Sequence, residues 1–179
     1  MASRLQIASQ IRGTKTQDGE LFIVTADSAG RTEDIPLARF LERVRKGFEM
    51  DIVFVSRFAG GERIIQHVAA DPADPLALSA GHSDPLEESY CHYVATGRLP
   101  ELIPDTRDEP LALALAGTAK ARVGSHLATA LVGVDGKVFG TICCYSHHPR
   151  TDLGHQEDLE ALRSIAELLG QAIEGSMPR

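Results

Sequence analysis

The residues of this sequence best suited to chemistry are three cysteines, Cys91, Cys143 and Cys144, and a scatter of histidines. Cys91 is followed directly by His92. Neighbours on a helix point about 100° apart, so His92 is badly placed to act as a base for Cys91. Cys143 and Cys144 are adjacent in an apolar, β-branched run. On a strand they point to opposite faces, and only one can look into a pocket. The sharper reading is a thiol sensor in which one cysteine oxidises and Cys91 resolves it when close enough. The plainer reading is that all three are small core fillers. An odd count with two neighbours does not fit a secreted disulfide framework.

Other groups carry less. His147 and His148, with Cys144 and His155 nearby, lack the spacing of a zinc site, so no metal is expected. His67, His82 and His126 could each ligate haem iron, yet a lone histidine is more often part of a hydrogen-bonded framework. Asp105, Asp108 and Glu109 could pair for acid–base work. In a proline-bearing loop they more often cap helices, and Asp108 is positioned to cap the helix that follows.

The elements that must hold these groups can be read from periodicity. Leu5 to Ile11 suits a short helix and Glu20 to Thr25 a strand. Asp34 reads as an N-cap with Pro36 in the first turn. Leu37, Phe40, Leu41, Val44 and Phe48 then follow at helical spacing. Ile52 to Val55, with Phe58, reads as a strand that turns at Gly60-Gly61 and returns through Ile64, Ile65 and Val68. Asp71 to Asp84 is a loop. Pro85 opens a second helix with Asp84 as its cap, and Gly97 ends it. Leu99 to Pro104 is extended, and Glu109 to Ala119 is a short helix. Val123–Val132 and Val138–Tyr145 form a hairpin about Asp135-Gly136. A last helix carries Leu159 to Ile173, with Gly154 as cap and Glu157 near its positive end. Helices near both ends and hairpins between them predict an α+β fold.

Composition narrows the function. The 179 residues suit one domain of ordinary size, and 43% of them are hydrophobic, enough for a real core. A net charge of −7 argues against nucleic acid as the main partner. The basic stretch Arg39, Arg43, Arg45 and Lys46 has the spacing of a solvated helix face. The sequence holds no run of about 18 apolar residues and no apolar signal-peptide core, so a cytoplasmic location off the membrane is expected.

An ordered set of segments resembles the GAF family of sensory domains, over roughly Pro36 to Glu174. Ser89-Tyr90-Cys91-His92-Tyr93-Val94 with Gly97 looks like the family helix that ends in a small-residue turn. Leu102-Ile103-Pro104-Asp105 and Arg107-Asp108 look like its following strand and acidic loop. Val123 to Leu127 looks like the central strand, Asp135 to Cys143 like the best-known hairpin, and His148-Pro149-Arg150 like the lead into the last helix. His126 stands where many relatives carry proline. The sequence has no Asn, so the signature of cyclic-nucleotide-binding members is absent. Bilin-binding members place a cysteine in the helix before the central strand; here Glu109 to Arg122 has none, and Cys91-His92 lies in the earlier helix.

The resemblance implies an antiparallel sheet of about five to six strands, with N- and C-terminal helices on one face and loops and short helices on the other. It implies a division into an extension of uncertain structure (1–34), a sensory domain (35–175) and a tail (176–179). It implies a small ligand between the sheet and Asp71 to Ala121, touching Tyr90, Asp105, His126, Thr129, Thr141 and Cys143. The terminal helices would relay binding to an output domain, such as a cyclic-di-GMP phosphodiesterase. A homodimer through the first and last helices is expected, with Leu162, Leu169 and Ile173 or their neighbours left for the partner. The identity of the ligand or cofactor stays open. Two other readings stand beside it: a thiol-based redox sensor or a cysteine-dependent enzyme that reduces free methionine sulfoxide, and a dimerisation module with no ligand.

Overall fold

The computed structural model describes residues 4–153 and 156–176. Helix α1 (Arg4–Gln10) leads into a three-stranded antiparallel meander, β1 (Ile11–Gln17), β2 (Glu20–Ala26) and β3 (Thr32–Pro36). The β1–β2 reversal is tight, with Gln17 opposite Glu20. Asp18 and Gly19 both take positive φ, 52° and 80°, which matches the twist of a two-residue hairpin. Asp34 is therefore a strand residue opposite Val24, 2.5 Å from Lys15 Nζ, and not a helix cap. Helix α2 (Leu37–Gly47) starts at Pro36 with no side-chain cap.

The second sheet holds β4 (Ile52–Ala59), β5 (Glu62–Ala70), β6 (Ser83–Pro85), β7 (Leu102–Ile103), β8 (Ser125–Val132) and β9 (Val138–Ser146). Its order is β6-β5-β4-β9-β8-β7, and every neighbouring pair is antiparallel. Side chains alternate across it. Val53, Val55, Leu127, Leu131, Ile142 and Cys144 join α2 and the last helix, α6 (Gln156–Ser176), in one core. Ile52, Phe54, Ala128, Cys143 and Tyr145 join a second core on the other face. That second layer is built from α3 (Tyr90–Ala95), α4 (Pro110–Ala114), α5 (Ala116–Lys120) and the 71–84 loop.

One irregularity decides what the second face contains. His67 lies opposite Val55, but Ile65 lies opposite Ser56, so Gln66 is an extra residue on β5. The bulge reverses the parity of the strand beyond it. Arg63, Ile65 and Val68 consequently share the face of Phe54, Ser56 and Phe58, although five positions separate Arg63 from Val68.

Several expected boundaries shift. Asp84 and Pro85 belong to β6, a 3₁₀ turn covers Leu86–Glu88, and Ser89 caps α3 by accepting from His92 N–H at 3.2 Å. Gly97, at φ 69°, ends that helix as expected. The expected helix over Glu109 to Ala119 is two short helices broken at Leu115, because Leu115 adopts an extended backbone. The residue ahead of α4 is Glu109 rather than Asp108, and Glu109 makes no side-chain cap bond. The expected cap Gly154 lies outside the described residues, as does His155.

The N-terminal segment is part of the packed structure. Ile7, Ile11, Leu21, Ile23 and Ile35 are buried with Leu162, Ile165, Leu169 and Ile173 of α6 in a single core. The α6 residues expected to await a partner helix are thus covered by α1, the meander and β8 of the same chain. Gly170 allows the close approach to β8: a Cβ there would lie 2.5 Å from the Val132 carbonyl oxygen.

Candidate functional site

The second face of the sheet is not completely filled. A cavity of about 380 Å³ lies between it and the short helices, within the size range of small-molecule sites. The sheet contributes Phe54, Arg63, His126 and Tyr145, one residue from each of the four inner strands. Leu78, His82 and Asp84 form one wall, Ser89 and Tyr90 a second, and Gly117, Lys120 and Ala121 a third.

The walls are aromatic. Phe54 and Tyr145 meet edge to face at 6.4 Å between ring centres, and Tyr90 tilts against His126 at 4.7 Å. The Tyr90 hydroxyl is used within the wall, bonded to Thr118 Oγ1 and donating to the Ala112 carbonyl at 3.3 Å, so Tyr90 offers the cavity its ring. Beyond the floor, His147 Nε2 lies 3.0 Å from Asp74 Oδ2 and ties the 71–84 loop to the end of β9.

Electrostatics centre on Arg63. Its Nη2 donates to both oxygens of Asp84, at 2.7 Å to Oδ1, and its guanidinium lies 5.5 Å from the centre of the Phe54 ring. Burial would lower the Arg63 pKa, but the nearby Cys91 sulfur and Asp84 raise it, so the cation is secure. Nearly complete burial, with the same positive charge added to it, holds His126 down at about 3, so its ring is neutral at working pH. Burial pushes the Tyr145 phenol above its ordinary range. Among the described residues, five buried side-chain polar atoms have no partner, and three of them belong to this cavity's lining: Arg63 Nε, His126 Nδ1 and Tyr145 Oη. Buried polar groups are normally satisfied, so such a concentration marks a site.

The residues expected to touch a ligand are divided by the fold. Tyr90 and His126 border the cavity. Thr141 and Cys143 are on the same face but fully buried, Thr141 Oγ1 lying 2.9 Å from Ser56 Oγ and 3.3 Å from Cys143 Sγ. Thr129 is on the opposite face, donating at 2.5 Å to Glu101, which also pairs with Arg163 of α6. Asp105 lies in the loop after β7, accepting from Arg107 N–H at 3.0 Å, away from the cavity. Of the cysteines, Cys91 and Cys143 come together with sulfurs 3.4 Å apart, whereas Cys144 faces the helical core. Arg63, Phe54 and Tyr145 were not expected in the site. Arg63 reaches this face only through the Gln66 bulge.

Comparison with known proteins agrees with this architecture. The family model described as GAF domain matches residues 36–173. No curated protein matches the chain. Among solved structures, the chain is similar to the GAF domain of an Acinetobacter phosphoenolpyruvate-protein phosphotransferase, with TM-score 0.61, 14% identity, and 78% of this chain and 80% of that one covered. It is also similar to the phycocyanobilin-bound GAF domain of a cyanobacterial phytochrome, with TM-score 0.60, 16% identity and coverage of 78% and 82%. A third is the free methionine-R-sulfoxide reductase of Neisseria meningitidis in complex with its substrate, with TM-score 0.59, 17% identity and coverage of 78% and 77%. At these identities the likeness concerns the fold. No helix among the described residues is long and apolar enough to cross a membrane.

Proposed function

Because the chain belongs to the GAF domain family, we propose that it is a sensory module that takes a small molecule into the cavity over its six-stranded sheet. The observation carrying this reading is the gathering of Arg63 Nε, His126 Nδ1 and Tyr145 Oη, all unpartnered, on residues lining one aromatic cavity. Each unsatisfied buried group costs about 1–3 kcal/mol, which a ligand with matching polar atoms recovers. Phe54, Tyr90 and Tyr145 favour a flat ring system, and Arg63 favours an acceptor or an anionic group on it.

The relay we propose passes through β8. His126 of that strand borders the cavity and Leu127, the next residue, packs in the core with α6. A ligand that moves His126 acts on the strand that carries α6 and shifts the balance between two helix arrangements. An output domain, a cyclic-di-GMP phosphodiesterase being one such, would read that shift.

Native mass spectrometry of the purified protein, repeated with an absorbance scan after denaturation, tests the reading. The expected result is a released small molecule, or a gain in thermal stability with a flat aromatic acid that Arg63→Met and Tyr145→Phe both reduce. Turnover of free methionine sulfoxide with a thiol reductant, and no ligand under any condition, would overturn it in favour of a cysteine-dependent reductase.

A further inference from the structure

Behind the cavity floor lies a cluster that ligand binding does not require. Cys91, from the first turn of α3, and Cys143, from the middle of β9, are fully buried with sulfurs 3.4 Å apart. Two hydroxyls complete the cluster: Ser56 Oγ lies 3.6 Å from Cys91 Sγ, and Thr141 Oγ1 lies 3.3 Å from Cys143 Sγ. Arg63 reaches the same cluster from the cavity side, with Nη1 3.8 Å from Cys91 Sγ.

The two thiols are unequal. Burial resists ionisation of Cys91, but the hydrogen bond from Cys143, the Arg63 charge and the two hydroxyls outweigh it, so its pKa falls below the ordinary thiol value. Cys143 is pushed well up by burial and by its neighbour Cys91. Cys144 is pushed up by burial alone and sits across the sheet. One thiolate-prone sulfur beside one protonated sulfur is the arrangement of an attacking and a resolving cysteine. A disulfide is about 2.05 Å long, so bond formation needs about 1.4 Å of approach from the present 3.4 Å.

We propose that Cys91 and Cys143 form a redox-active pair that hydrogen peroxide converts to a disulfide, tying α3 to β9. The Cys91 thiolate attacks one peroxide oxygen and the O–O bond breaks. The departing hydroxide takes up the proton that Cys91 had released and leaves as water, with a sulfenic acid on Cys91. The Cys143 sulfur then displaces the sulfenic hydroxyl, which leaves with the Cys143 proton as a second water. Two thiols and one peroxide give one disulfide and two waters. Tyr90, beside Cys91 on α3, lines the cavity, so the bond also fixes one of its walls.

The test treats the full chain with hydrogen peroxide under native conditions, then unfolds it in acid and alkylates it. Two of the three cysteines should escape alkylation, a non-reducing peptide map should join Cys91 to Cys143, and dithiothreitol should restore all three. Cys144→Ala should behave as the parent, and Cys143→Ser should stop at a Cys91 sulfenic acid that dimedone captures. A further control needs no variant: the parent chain oxidised while unfolded in urea should lose this pairing preference. Three free thiols after oxidation sufficient to convert free methionine added to the same sample, or a bond through Cys144 or between chains, would overturn the proposal.

Discussion

Replacing Arg63 by methionine tests the link between the bulge in β5, the cavity and the thiol pair. Methionine keeps most of the aliphatic stem over Phe54 and removes the charge. Removing one partner of a fully buried ion pair costs about 3–5 kcal/mol, whereas surface pairs are worth about 0–1 kcal/mol. The Arg63 side chain is 11% exposed but Asp84 keeps 27% of its surface in water, so the pair lies between these limits. Deleting the unpartnered Nε returns on the order of 1 kcal/mol. The net expectation is a loss of about 1–2 kcal/mol, read from the urea midpoint at unchanged slope.

The origin of that loss can be isolated. If it comes from stranding the Asp84 carboxylate, Arg63→Met combined with Asp84→Asn should be less destabilised than the two single effects added, with coupling of about 1 kcal/mol or more. Loss of the cation should also raise the Cys91 pKa, so the pH profile of its alkylation moves upward. A variant as stable as the parent, or single effects that simply add, would refute the placement of Arg63 as a buried, paired cation.

Three further outcomes are expected. Gly170→Ala gains about 1 kcal/mol of helix propensity but sets a Cβ 2.5 Å from the Val132 carbonyl, at a cost of about 1–3 kcal/mol for overpacking; a net loss in urea unfolding is expected, and a stabilised variant would show that α6 does not approach β8 so closely. His147 has its pKa raised because Asp74 at 3.0 Å outweighs the effect of burial, so its stabilisation is present below the unfolded value of about 6.5 and lost as pH rises through the folded value. The melting temperature should therefore carry a downward component above about pH 6.5 that His147→Asn flattens. A chain lacking residues 4–31 loses the burial of Ile7, Ile11, Leu21 and Ile23, at about 1.5–3 kcal/mol each, which is comparable to the whole stability of a domain; size-exclusion chromatography should show aggregates or new dimers, and a stable monomer would contradict the packing.

The hairpins about Gly60-Gly61 and Asp135-Gly136 were legible because each reversal separates two apolar runs. Asp18-Gly19 carries the same turn chemistry, but β1 is mostly exposed and polar, so no apolar alternation marked it as a strand. The site was legible in part for a related reason. Strand parity places Cys143 and Cys144 on opposite faces, as found, but which of them faces the cavity depends on where α2 and α6 pack. Parity also argued against one expectation: His126 and Thr129 are three positions apart and cannot share a face of a regular strand. Arg63 was hidden because its inward orientation depends on the Gln66 bulge, a tertiary feature with no local signature. The 3.4 Å approach of Cys91 and Cys143 spans 52 residues of chain and is likewise a product of the fold.

The adjacent inner strands β8 and β9 lie between the two layers, and the residues that matter to each layer alternate along them. His126 and Cys143 face the cavity side, and Leu127 and Cys144, paired across the strands, face α6. A ligand against His126 and a disulfide at Cys143 would therefore act on the same two strands and reach the helical layer through adjacent residues. If both inputs select the same arrangement of that layer, linkage requires ligand to favour the disulfide by the factor by which the disulfide tightens ligand. The layer that receives them is closed by the N-terminal segment, with Ile7 and Ile11 buried in the core that contains α6. A partner reading the state of α6 must either bind its remaining outer surface or displace that segment, and displacement exposes an apolar stripe that only another chain or the same segment can cover.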